Sequence, residues 1–141
     1  MFSLILILIL RLRLSQKPMS VLIKEVKFDI YVADTEEKRS KGLSIYNSLP
    51  HDRGMIFDFG KKDIYATFWM KDMKFALDII WINDEKIVKI DENVPTPPVN
   101  TPDNKLTLYP SNIPIDYVLE INSGLSDKYG FKIGDSVTFV K

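Results

Sequence analysis

FWMKDMKFALDIIWIN, residues 68–83, decides how this chain folds. Its second half, LDIIWI, is apolar on both of the faces that a strand would present. Leu77, Ile79 and Trp81 share one face; Ile80 and Ile82 share the other with Asp78. A strand of that kind is central and covered on both sides. NDEK then supplies a turn and KIVKI a returning strand, so a hairpin is expected here. Upstream, Val26, Phe28, Ile30 and Val32 alternate with Lys27, Asp29 and Tyr31, the period of two of a half-buried strand. GMIFDFG alternates again, with Met55, Phe57 and Phe59 on one face. YATFWMK and IDYVLEIN read as further strands, and FKIGDSVTFVK as a closing strand pair around Gly134-Asp135.

Helices are few and short. Residues 35–41 predict one, with Asp34 and Glu37 as a capping box and Gly42 as the residue that ends it. Ser123 to Tyr129 predicts one or two turns ending at Gly130. VPTPPVNTPDNK, residues 94–105, cannot join a ladder, because proline lacks the donor and pushes its neighbours extended. A long exposed loop is expected there, and long loops in compact domains often carry function. The sum is a mainly β fold, a compact antiparallel β-sandwich or barrel with one or two short helices.

The chain has 141 residues, enough for one domain with a sizeable core. Nineteen basic residues balance nineteen acidic ones, so no basic excess marks a nucleic-acid partner. The absence of cysteine excludes disulfides, thiolate metal sites, a cysteine nucleophile and a lipid-modified N-terminal cysteine. His51 is the single histidine, in the polar turn SLPHDRGM. Alone it cannot supply a zinc set, and no serine sits on a nucleophile elbow to pair with it. Asp91 and Glu92 lack the Asx-rich surroundings of a calcium loop. No catalytic residue, metal or cofactor is therefore assigned.

FSLILILIL, residues 2–10, has the length of a signal-peptide core, but no positive charge precedes it and no small-residue cleavage site follows. A spanning helix needs about 20 apolar residues. Residues 1–20 are read as an apolar extension: a degenerate export signal, a weak membrane-associating tail through residues 2–14, or an upstream stretch with the natural start at Met19. The folded domain is expected to run from 21 to 141.

Asp78 is the residue that the central strand makes conspicuous. An unpaired buried carboxylate is costly, so it must find donors or take up a proton. Arg39 is the attractive partner, since a guanidinium can grip a carboxylate through two bonds. Lys71 and backbone donors are the others. The plain reading of Asp78 is an architectural clamp. Phe68, Trp69 and Met70 cannot all face one way in a strand, so at least one leaves the core, and an aromatic ring beside Lys71 would make a stacking platform.

VADTEEKRSKGL, LPHDRGMIFDF, FWMKDMKFALDIIWI and YVLEINSG, followed by a final GD-x-V, resemble in that order the domain-of-unknown-function family DUF192. The similarity runs from about Val26 to Val137. It implies a compact, mainly β domain, often preceded by a signal or anchor, with no established activity. An exported or membrane-associated location is favoured on that resemblance. By motif it singles out Arg39, Gly42, Leu43, Gly54, Met55, Phe57, Phe68, Trp69, Met70, Lys71, Asp78, Gly124, Gly134 and Asp135. The chain departs from the family pattern at Asp72-Met73, where Asn-Thr is usual, and at Ala76, where Pro is common.

The leading expectation is a non-enzymatic binding or accessory domain. Its patch would be Trp69, Lys71, Asp78 and Arg39 with Phe68 and Met70, roofed by the Pro-rich loop and meeting a small polar ligand or a partner protein. One alternative is an enzyme acting on a saccharide or envelope polymer, with Asp78 and a second acid, Asp72 or Asp58, as its pair. The other is a structural subunit whose aromatic face is an interface.

Overall fold

The structure, a computed structural model, describes residues 20–141. The three readings of the apolar extension, and the location inferred with them, concern residues outside that range. No helix among the described residues is long and apolar enough to cross a membrane.

Among the described residues nine strands form in chain order: β1 Ser20–Ile23, β2 Val26–Ala33, β3 Arg53–Asp58, β4 Thr67–Phe68, β5 Leu77–Asn83, β6 Lys86–Val94, β7 Tyr109–Pro110, β8 Tyr117–Asn122 and β9 Val137–Val140. Seven make one sheet in the order β6-β5-β8-β3-β2-β1-β9. The sheet curls until its two ends meet at an isolated bridge between Lys86 and Ser136. β4 and β7 form a separate two-stranded ribbon. The fold is thus mainly β, as expected, with two short helices, α1 (Glu36–Lys41) and α2 (Leu125–Tyr129).

One pairing breaks the antiparallel rule. β2 and β3 run parallel, because the chain between them crosses back through α1 and a 3-10 turn at Gly42–Ile45. The two tight hairpins, Lys24-Glu25 and Asp84-Glu85, place both central residues at positive φ, as the turns that match strand twist require. β1 itself lies in SVLI, a stretch with too little alternation to announce a strand.

Local chemistry differs from expectation at three points. α1 is capped one residue later than Asp34: the Thr35 side chain accepts from the Lys38 amide at 3.2 Å. YATFWMK forms only a two-residue strand, because the chain turns after Trp69, with the Met73 amide donating to the Met70 carbonyl. FKIGDSVTFVK is not a strand pair. Its first half is a turn in which the Asp135 carboxylate accepts from the Lys132 amide and Gly134 adopts φ 95°. That turn bonds to Ile87 of β6 instead of folding back on β9.

Alternation sorts the side chains into two apolar layers. Ile80 and Ile82 of β5, Leu119 and Ile121 of β8, Ile56, Phe28 and Val21 fill the hollow of the curled sheet. Leu77, Ile79 and Trp81, with Val118, Met55 and Phe57, face outward under α1, the 3-10 turn and the β4-β7 ribbon. β5 is buried along almost its whole length, as a strand apolar on both faces must be.

Gly54 lies where β3 and β8 press together. A Cβ there would sit 2.8 Å from the Glu120 carbonyl oxygen and 3.0 Å from Leu119 Cδ1. Gly54→Ala is expected to lower unfolding stability by about 2 kcal/mol through overpacking, read as a fall in the urea midpoint. An unchanged midpoint would show that the two strands can part there without cost.

Candidate functional site

A cavity of about 320 Å³ opens on the outward face of the sheet, at the lower end of the size range of small-ligand sites. α1 and the residues after it form one wall, with Glu36, Arg39, Ser40, Lys41 and Leu43. The end of β3 supplies Phe57 and Phe59; β4 and the turn after it supply Phe68, Trp69, Lys71 and Met73. The floor includes Glu120 of β8.

The aromatic wall is built by packing. Phe68 meets Phe57, Trp81 and Phe59 edge-on, with centroids 4.8, 5.4 and 6.4 Å away. Such pairs hold rings in fixed orientations and add to the energy of burial. Trp81 is fixed beneath them by its indole N–H, which donates to Asp91 at 2.8 Å. Trp69 is the member that leaves the core, 42% exposed. The Lys71 ammonium lies 5.4 Å from the centre of its ring and is tied to Asp103 at 2.7 Å. That hydrogen bond and the nearby carboxylates hold the Lys71 amine above its usual pKa, so it stays charged.

Arg39 is oriented by β3. One N–H of its guanidinium donates to the Asp58 carbonyl at 2.8 Å, and the group lies 5.4 Å from the centre of the Phe59 ring. Among the described residues it makes no ion pair, and Asp78 is not its partner. Asp78 is fully buried on the opposite face of the sheet, beside Ile80 and Ile82. Its carboxylate accepts three backbone amides: Asn93 at 2.8 Å, Gly124 at 3.1 Å and Ser126 at 2.8 Å. The architectural reading of Asp78 is the one that the geometry describes, with backbone donors in place of Arg39. It ties the end of β6 to the start of α2.

Of the six residues singled out for a site, Arg39, Phe68, Trp69 and Lys71 therefore converge on the cavity. Asp78 and Met70 do not. Met70 is buried and lines a smaller hollow, about 120 Å³, under the Pro-rich loop with Pro95, Pro97 and Tyr109. That loop does not roof the aromatic cavity; Asp103 is its link to the rim. No group of three or more acidic or histidine side chains suited to a metal ion occurs among the described residues.

Glu120 went unnoticed in the sequence. It is 4% exposed, between Met55 and Ile79 on the neighbouring strands, and among the described residues no hydrogen bond or ion pair reaches its side chain. Desolvation alone pushes its carboxyl up to about 8. A carboxyl group that titrates near neutrality in a cleft is a mark of functional sites. The signal was present: YVLEIN carries one acid inside an apolar strand, as LDIIWI does.

A curled β sheet bearing an aromatic-walled cavity with a buried acid at its floor defines a small, pocketed β domain. The chain belongs to the DUF192 family, described as Uncharacterized ACR, whose model matches residues 19–139. Two solved structures resemble it. One is a protein of unknown function from Novosphingobium aromaticivorans DSM 12444, 31% identical, with a TM-score of 0.74 over 85% of this chain and 84% of that one. The other, from Sinorhizobium meliloti 1021, is described as a candidate transcription regulator. It is 27% identical, with a TM-score of 0.73 over 85% of this chain and 90% of that one. No curated protein matches the chain.

Proposed function

We propose that this is a non-enzymatic binding or accessory domain whose cavity takes a small ligand with a flat apolar face and polar edges. The observation that carries the reading is the wall of Phe57, Phe59, Phe68 and exposed Trp69 around a ligand-sized hollow with Arg39 and Lys71 beside it. Rings offer stacking area, and charged groups at the edge fix orientation. An envelope setting, in an exported or membrane-associated protein, belongs to the same proposal. A role in transcription regulation, the description of one structural relative, would call for a nucleic-acid surface if exercised on DNA directly, and the chain has no basic excess to support that.

The paired-acid alternative loses its first member, since both Asp78 oxygens are occupied by backbone amides on the far side of the sheet.

The test is a thermal-shift screen of the full chain against sugars, nucleotides, peptides and divalent metals. A ligand at a hundred times its dissociation constant adds about 2.7 kcal/mol to stability, several degrees for a domain of this size. Trp69→Ala is expected to remove the shift while leaving the unliganded melting temperature within about 1–2 degrees. A shift that survives Trp69→Ala and Phe59→Ala together would move the site elsewhere.

A further inference from the structure

Four side chains at the cavity have polar capacity that the described residues leave unused. Glu120 is buried at the floor without a partner among the described residues. Arg39 spends one N–H on a carbonyl and none on a carboxylate. Ser40 and Thr67 bring hydroxyls for which no partner is found among the described residues. The other cations are already neutralised: Lys41 pairs with Glu37 at 2.9 Å and Lys71 with Asp103 at 2.7 Å.

The state of Glu120 decides which ligand these groups suit. Its neighbours on the sheet, Met55 of β3 and Ile79 of β5, are apolar. The charged groups that line the same cavity are Glu36, Arg39 and Lys41 from the α1 side and Lys71 from the turn after β4. None holds it as an anion, so at neutral pH it keeps its proton. A protonated carboxyl is a hydrogen-bond donor. Floor and edge then ask for the same thing from a ligand, oxygen acceptors, and the unpaired guanidinium asks for a negative one.

Resting on the pocket reading above, we infer that the cavity binds an acidic sugar: its apolar ring face on Trp69 and Phe59, its carboxylate on Arg39, and a ring or hydroxyl oxygen accepting from neutral Glu120. An organic cation is the competing class, because aromatic rings and a carboxylate also suit an ammonium group. The two classes require opposite forms of Glu120, and that makes them separable.

The experiment is titration calorimetry on the full chain with D-galacturonate and D-glucuronate, beside D-glucose and choline, from about pH 6 to 9. Uronate affinity is expected to be level at the acid end and to weaken about tenfold per pH unit above the Glu120 transition near 8. Glu120→Gln, which keeps a neutral donor, is expected to retain binding and flatten that profile; Glu120→Ala should weaken it about tenfold or more. Arg39→Gln should cost the uronates about tenfold and leave any weak glucose binding unchanged. Affinity that rises with pH, loss of uronate binding in Glu120→Gln, or binding of choline or glucose with neither uronate overturns the acidic-sugar inference and leaves the pocket reading standing. Failure of all four probes overturns it too, and the broader screen then decides the pocket itself.

Discussion

Asp78→Ala is expected to lower the unfolding free energy by about 3 kcal/mol or more. The carboxylate is fully buried and accepts from the amides of Asn93, Gly124 and Ser126. Removing it strands three donors, that of Ser126 fully buried and those of Asn93 and Gly124 partly so, each at a cost of roughly 1–3 kcal/mol before relaxation. Asp78→Asn should recover only part of the loss, since one of its two acceptor oxygens becomes a donor facing donors. Urea unfolding with an unchanged slope and a lower midpoint is the expected readout. A midpoint unmoved in Asp78→Ala would mean that the three amides are satisfied without it, and would return Asp78 to the candidates for function.

Glu120→Gln should act in the opposite direction, raising stability by roughly 3 kcal/mol at pH 7. Burial lifts the folded-state carboxyl from the ordinary 4.5 to about 8. Between those values the native chain holds a proton that the unfolded chain has released. The contribution of Glu120 to stability is therefore fully present below 4.5, declines as pH rises through the interval and is lost above about 8. Glutamine is neutral throughout, so its advantage should be negligible at about pH 4, appear near neutrality and level off above the folded transition. Equal stabilities for the two proteins at every pH would show that the carboxyl ionises freely, and the acidic-sugar inference would lose its donor. A residue kept at such a cost on a cavity floor fits the common exchange of stability for function.

Much of this could be read from the residues in order. The period of two placed β2, β3, β5 and β8 within a residue or two and the start of β6, which runs four residues beyond KIVKI, and Gly42 and Gly130 marked the ends of both helices. The aromatic edge of the site was legible as well: in FWMK, at most two of three apolar side chains can face one core, and Trp69 is the one that emerged. Less was legible where a segment's neighbours decide its form. Phe131–Asp135 has strand-like residues, yet the Lys132 amide's bond to the Asp135 carboxylate and the backbone bonds to Ile87 hold it as a turn. The parallel pairing of β2 with β3 depends on where α1 and the crossing chain lie, which no local pattern records.

The two acids draw the boundary most clearly. LDIIWI and YVLEIN present the same signal, one carboxylate inside an apolar strand; the sequence made Asp78 conspicuous but not Glu120, and the structure buries both, on the adjacent strands β5 and β8. The local signal could not distinguish them. The pairing register sets Asp78 opposite Ile121 and Glu120 opposite Ile79, so the two side chains leave the sheet on opposite faces. On the inner face Asp78 meets the amides of Asn93, Gly124 and Ser126, all at least 15 residues away in the chain. On the outer face Glu120 meets apolar side chains and a cavity. Burial is written in local alternation; whether a buried charge finds its donors depends on which distant backbone the fold brings to it.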